Sequence, residues 1–330
     1  MANLLKPLQA GALELTNRLV MPPMASAKAE PDGSVSQALL DYYAEKSAGG
    51  DLGLVIIEHS FIAPEGKASN QQLSVATDSQ VDGLRRLADT LHRNGVKAAM
   101  QINHAGSAAD AAIIGTTPVA PSAVINPRKG NLPRELSVPE IADIIDAFQK
   151  AALRTKQAGF DAVEIHSAHG YLLNQFLSPL ANQRSDEYGG SIQQRIRLHL
   201  EVIAAVRAAV GEDFPVLIRL GASDFMPGGT TIEDSIIAAQ EFAKVGVSIL
   251  DISGGFCGYM VPELKGQGYF APLTHAIKQV VSIPVILTGG ITEPQAAEQL
   301  LAEGKADLIG VGRALLQDSG WTARAVQSLQ

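Results

Sequence analysis

The feature that most constrains this chain is a unit repeated along its length. Each copy holds a short apolar run, a polar or glycine-rich stretch, a capped helical pattern, then glycine before the next apolar run. That order is the grammar of an α/β fold. The apolar runs occupy Arg18–Met21, Leu52–Ile57, Lys97–Ile102, Ala162–Ile165, Val216–Leu220, Ser248–Ile252, Val285–Leu287 and Leu308–Val311. Their lack of alternation suits strands buried on both faces, as in a parallel sheet covered by helices. Eight such units predict a (β/α)8 TIM barrel, read as a single domain over residues 1–330. Leu8 to Leu15, around Ala10-Gly11, reads as an N-terminal hairpin closing the barrel floor. A doubly wound sheet would carry G-x-G-x-x-G after an early strand, and Pro22 to Met24 holds nothing like it.

The intervening helices carry start and stop signals. Val138 to Ala158 is the clearest: Ser137 and Glu140 form a capping box around Pro139, and Ile141, Ile144, Ile145, Phe148 and Ala152 mark one face. Thr231 with Asp234 opens another helix. Thr292 with Gln295 opens a third, with Pro294 in its first turn, where a missing N–H costs little. Gly95, Gly159, Gly211, Gly246 and Gly304 stand where a left-handed residue would end each helix.

Composition narrows the partners. A net charge of -8 argues against nucleic acid and anionic membrane, both of which reward clustered Lys and Arg. The single cysteine, Cys257, can form no internal disulfide, and no C-x-x-C pair is present to hold zinc or an iron–sulfur cluster. The start, M-A-N-L-L-K-P, lacks the apolar core of a signal peptide, and no apolar run nears the roughly 18 residues of a membrane span. The expectation is a cytoplasmic protein acting on small molecules.

In this barrel, chemistry belongs where strands end and βα loops begin. Those positions hold Pro22-Pro23-Met24-Ala25, His59, Gln101 to His104, His166 to Tyr171, Arg219, Ser253-Gly254-Gly255, Gly289-Gly290 and Gly312-Arg313. The sharpest group is E-I-H-S-A-H-G-Y, where His166, His169 and Tyr171 leave one strand end together. Imidazoles can donate to a substrate oxygen that gains negative charge, and a tyrosine can deliver a proton to carbon. Satisfied packing is the plain alternative; a metal ion shared by His166 and His169 is another, though no further strong ligand stands nearby. Gly289, Gly290, Gly312 and Arg313 follow the last two strands, where this fold holds phosphate on backbone N–H groups. Arg219 reads either as half of a buried ion pair or as a fixed charge beneath a cofactor that becomes anionic on reduction. Gln101 could bond a heterocycle edge or merely the backbone. Asp186 to Ser191 reads as a capped turn.

Together these residues resemble the old yellow enzyme family of FMN-dependent NADH:flavin oxidoreductases, or ene-reductases. The motifs are N-R-L-V-M-P-P-M at Asn17, Q-I-N-H-A-G at Gln101, E-I-H-S-A-H-G-Y-L at Glu164, F-L-S-P-L-A-N-Q-R-S-D-E-Y-G-G-S at Phe176 and V-G-R-A-L at Val311. The two-histidine form is most similar to the bacterial, thermophilic-like subgroup. The resemblance implies FMN on the C-terminal rim, with Pro23, Met24, Ala25 and His59 along the isoalloxazine and Gln101 and Arg219 on its polar edge. It places the phosphate on Gly289, Gly290, Gly312 and Arg313. It makes NADH or NADPH the reductant and an activated alkene, an α,β-unsaturated carbonyl or nitro compound, the acceptor. His166 and His169 would bind the activating oxygen, and Tyr171 would donate the proton. A homo-oligomer, dimer or tetramer, is implied as well.

The pattern also departs from the family. Ala25 stands where many relatives carry Cys or Thr against the flavin, Ala27 where the subgroup carries tyrosine, and His59 where the residue is usually small. Arg324 is the last arginine, so none is evident to reach into a neighbouring subunit's site. Longer relatives append an iron–sulfur site and a second nucleotide-binding domain, and neither is expected here. Two alternatives stay open: a flavin-binding NAD(P)H oxidoreductase with little ene-reductase turnover, and a metal-dependent TIM-barrel hydrolase using His166 and His169.

Overall fold

A computed structural model describes all 330 residues. Eight parallel strands close on themselves: β1 Leu19–Met21, β2 Leu54–Phe61, β3 Lys97–Asn103, β4 Ala162–Ser167, β5 Val216–Gly221, β6 Ile249–Ser253, β7 Val285–Thr288 and β8 Leu308–Gly310. Each pairs with the next, and β8 returns to β1 through Ile309 and Leu19. Eight helices alternate with them: α1 Gln37–Lys46, α2 Val81–Arg93, α3 Val138–Gln157, α4 Arg197–Val210, α5 Ile232–Lys244, α6 Ala271–Lys278, α7 Pro294–Ala302 and α8 Trp321–Leu329. The chain is a (β/α)8 barrel, as the repeat predicts.

The strands look uniformly apolar in sequence because each face meets a different apolar partner. Val20, Leu54, Ile56, Ala99, Ala162, Leu217, Ile249, Ile286 and Leu308 form one buried cluster, and the residues between them join a separate, larger cluster with the helices. The first set fills the inside of the barrel. Ala10, Leu13 and Leu15 of the antiparallel hairpin Leu8–Ala10/Leu13–Leu15 belong to that inner cluster, so the hairpin plugs the floor. Burying each Leu or Ile contributes about 1.5–3 kcal/mol. Above this apolar layer the same inward positions turn polar: Gln101 lies in register with Glu164, and His166, Arg219 and Asp251 lie in one row across β4, β5 and β6.

One irregularity matters for the site. In β2, Ile57 pairs with Met100 and Ser60 with Ile102, so Glu58 and His59 together oppose the single residue Gln101. Such a bulge reverses which face the next side chain takes. His59 therefore lines the barrel mouth, while Glu58 packs outward against Tyr43 of α1, whose hydroxyl accepts its N–H at 2.8 Å.

Two of the three anticipated helix starts have their capping boxes, Ser137 with Glu140 and Thr231 with Asp234. The third differs. Helix α7 begins at Pro294 with Glu293 before it, because Gln267 captures Thr292: its amide donates to the Thr292 hydroxyl at 2.8 Å and its oxygen accepts the Thr292 N–H at 2.7 Å. No helix is long and apolar enough to cross a membrane.

Candidate active site

The loops at the strands' C-terminal ends enclose a cleft of about 390 Å³. Of the positions singled out in the sequence, Pro23, Met24, Ala25, His59, Gln101, His166, His169, Tyr171, Arg219, Gly289, Gly290, Gly312 and Arg313 line it, whereas His104, Gly254 and Gly255 do not. Strand register explains the convergence, since consecutive strands end level with one another and their loops turn toward one mouth.

His166, His169 and Tyr171 form one aromatic group. The His166 ring centroid lies 5.2 Å from that of His169 and 5.0 Å from that of Tyr171, and His59 lies 5.2 Å from Tyr171. His169 adopts φ 59°, a left-handed conformation that a residue with a side chain seldom takes. Its N–H donates to Gly254 and its Nε2 sits 2.7 Å from Ser253 Oγ, so the strained turn is held from β6. Gly170 follows at φ 75°, its N–H bound by Asn174 Oδ1 at 2.7 Å. Buried Gln175 then ties Ser107 N–H, the Ala105 carbonyl and the Gly170 carbonyl together. This framing fixes where Tyr171 stands.

Burial sets the protonation of the group. It pushes His166 and His169 well below the usual imidazole range, helped by neighbouring positive charge, so both rings are neutral at pH 7. It pushes the Tyr171 phenol up, so the hydroxyl keeps its proton. Neutral imidazoles and a protonated phenol are hydrogen-bond and proton donors.

Beneath them lies a charged layer. Gln101 Nε2 donates to Glu164 Oε1 at 2.7 Å, and Arg219 Nε faces Asp251 Oδ2 at 3.2 Å. Arg219 is thus half of a buried ion pair, and it also lines the cleft. Burial raises Glu164, and the nearby Asp251 raises it further, while Arg219 opposes both.

The opposite end of the cleft is a backbone cradle. The N–H groups of Gly289, Gly290, Gly312 and Arg313 have no acceptor within the chain. At Gly290, φ 69°, an added Cβ would lie 2.6 Å from the Gly266 carbonyl and 2.8 Å from Tyr269; at Gly312 it would meet Met24 Sδ at 3.2 Å. At Gly290 only bare backbone fits. Free N–H groups, Arg313 beside them and the Pro23-Met24 surface suit a planar ring system that ends in a phosphate.

Comparison with known proteins decides which family builds such a cleft. The sequence profile described as NADH:flavin oxidoreductase / NADH oxidase family matches residues 3–330. The chain belongs to that family. It is 44% identical to the NADH oxidase of Thermoanaerobacter brockii over 99% of its own length and 51% of that protein's. It is 38% identical to the NADPH dehydrogenase of a Geobacillus species, over 99% and 94%. Its fold matches the old yellow enzyme homologue from Zymomonas mobilis with a TM-score of 0.86 and 28% identity, over 99% and 93%. The chain therefore spans about half the length of one of these relatives and nearly all of the others. FMN is the cofactor of that family, and the unpartnered N–H cradle fits it.

Several cleft residues carried no signal that singled them out in sequence. Ser253 stood at a recognised strand end, but only the fold reveals that it meets His169. Arg128, Tyr259 and Tyr269 come from long loops whose path no periodicity fixes.

Proposed function

We propose that this chain is an ene-reductase, using NAD(P)H to reduce the C=C bond of activated alkenes, and that residues 1–330 act as one FMN-binding domain. The observation that carries the reading is the group of neutral His166 and His169 with protonated Tyr171 in the cleft of an FMN family member. Bound FMN supplies the chemistry of hydride acceptance from the nicotinamide and hydride delivery to the alkene. In this reading Gly289, Gly290, Gly312 and Arg313 hold its phosphate, Pro23, Met24, Ala25 and His59 line its ring, and Gln101 and Arg219 meet its polar edge.

The chain's own work is electrostatic. As the alkene takes up hydride, negative charge grows on its activating oxygen. Two preorganised imidazole donors stabilise that charge more than they stabilise the uncharged ground state. Tyr171 holds the proton for the neighbouring carbon. Arg219 favours a cofactor edge that becomes anionic, with Asp251 keeping the guanidinium in place.

The test separates two half-reactions under anaerobic conditions. NAD(P)H should bleach the flavin, and cyclohexenone should restore the colour with formation of cyclohexanone. Bleaching without enone-dependent recovery would instead support the low-turnover oxidoreductase that Ala25 and Ala27 suggest. Against the hydrolase reading, no three His, Cys, Asp or Glu side chains are arranged so that they could hold a metal ion.

A further inference from the structure

We propose that the cleft takes an alkene that also carries a carboxylate, and that Arg128 is the residue that holds this anion. The proposal rests on the ene-reductase reading above. The chain is acidic, with net charge -8, yet three arginines and no aspartate or glutamate line its cleft. A concave surface with charge of one sign concentrates ligands of the other. Two of the arginines are already accounted for: Arg219 has Asp251 behind it, and Arg313 stands in the phosphate cradle. Arg128 is left over, on the side of His169 and Tyr171.

Arg128 is a positioned cation. Asn126 Oδ1 accepts the N–H groups of Arg128 and Lys129, each at 2.9 Å, and Asn126 Nδ2 donates to buried Ser107 at 2.8 Å. That anchors the turn. The one hydrogen bond of the Arg128 side chain runs from Nη1 to the His169 carbonyl at 3.1 Å, a carbonyl presented by the left-handed turn at His169. Across from it Gly258, φ 80°, leaves room for the guanidinium: an added Cβ would come within 3.0 Å of Nη1. The group is therefore seated between two backbone segments with donors to spare. Its charge also acts on the reacting groups, lowering both His169 and Tyr171. A planar fork beside the oxygen-binding imidazoles suits a carboxylate on the same molecule as the activated alkene.

The experiment uses the flavin-loaded protein with a matched pair of substrates, 4-(3-oxobut-1-enyl)benzoate and its methyl ester. The wild type should favour the carboxylate in kcat/KM by about tenfold or more, mainly through KM, and less so at high salt. Arg128→Gln should collapse that ratio toward one, and Arg128→Lys should keep part of it. A wild-type ratio near one, or a ratio that survives Arg128→Gln, overturns the proposal. Flavin reduction by NADH and NADPH is measured for the same variants. A loss confined to that half-reaction would assign Arg128 to the reductant's phosphates and overturn it too. If neither alkene is turned over although NAD(P)H bleaches the flavin, the ene-reductase reading is what fails. The dissociation constants of 4-hydroxybenzoate and its methyl ester, from flavin difference spectra, then decide the anion site alone. Tighter binding of the acid that Arg128→Gln abolishes supports the site; equal binding removes it.

Discussion

Gln72 Nε2 stands 2.8 Å from His59 Nδ1 and 3.0 Å from the His59 carbonyl, while Gln72 Oε1 accepts the Ala68 N–H at 2.7 Å. With its oxygen committed, the amide offers His59 only hydrogens. Nδ1 must accept, so the ring proton sits on Nε2, the nitrogen left without a partner in the cleft. Burial and the Arg219 charge push His59 down to about 4, which keeps the ring neutral at ordinary pH. Nitrogen-15 NMR of the wild type should find one tautomer, Nε2–H. Gln72→Leu should give a mixture of the two, and a single unchanged tautomer would count against the lock.

Tyr171→Phe removes a buried phenol whose proton is held beyond its ordinary value of 10.0. Alkene reduction should slow by about a hundredfold or more, the usual contribution of a positioned acid, while flavin reduction by NAD(P)H survives. In the wild type the midpoint of any rate loss to Tyr171 ionisation should lie above the ordinary value of 10.0. Stopped-flow traces of the two half-reactions check both statements.

Ser253→Ala removes the hydroxyl that lies 2.7 Å from His169 Nε2. The ring then loses the contact that holds its orientation. Dissociation constants of phenolic ligands, read from the charge-transfer band, should rise by roughly tenfold, with His166 untouched. An unchanged constant would mean that Ser253 does not orient the ring.

Glu58 is buried and raised to about 7, chiefly by desolvation. A carboxyl whose pKa is higher folded than unfolded binds more protons in the folded state between its ordinary 4.5 and about 7. Stability therefore falls as pH rises through that window, by an amount on the order of 3 kcal/mol at full effect. Glu58→Gln should abolish this trend, raising Tm at pH 8 relative to the wild type and narrowing the gap at pH 5.

The barrel was legible because its code is local. Each strand is a short apolar run, and several helices carry a cap or a terminal glycine, so Ser137, Thr231 and Gly159 could be read without knowing the neighbours. The cleft was legible in part for the same reason, since a barrel turns strand ends such as His166, Arg219 and Gly312 into one rim. Contacts between distant loops were not. Gln267 captures Thr292 from 25 positions away and shifts a helix start; Ser253 meets His169 from 84 away. Nor could a run of apolar letters reveal that alternate residues of β2 face different cores, or that the run breaks step at Glu58.

That broken step in β2 gives the cleft a property no single letter of the sequence determines. One surplus residue decides which of two adjacent side chains, an acid or a base, looks into the mouth. Removing a residue at this point would restore the pairing and rotate Glu58 inward, setting a carboxylate among His166, Tyr171 and Arg219 where an imidazole now stands. Insertions and deletions, usually thought of as changing loops, can here act on the acid–base character of the mouth, leaving every other strand in place.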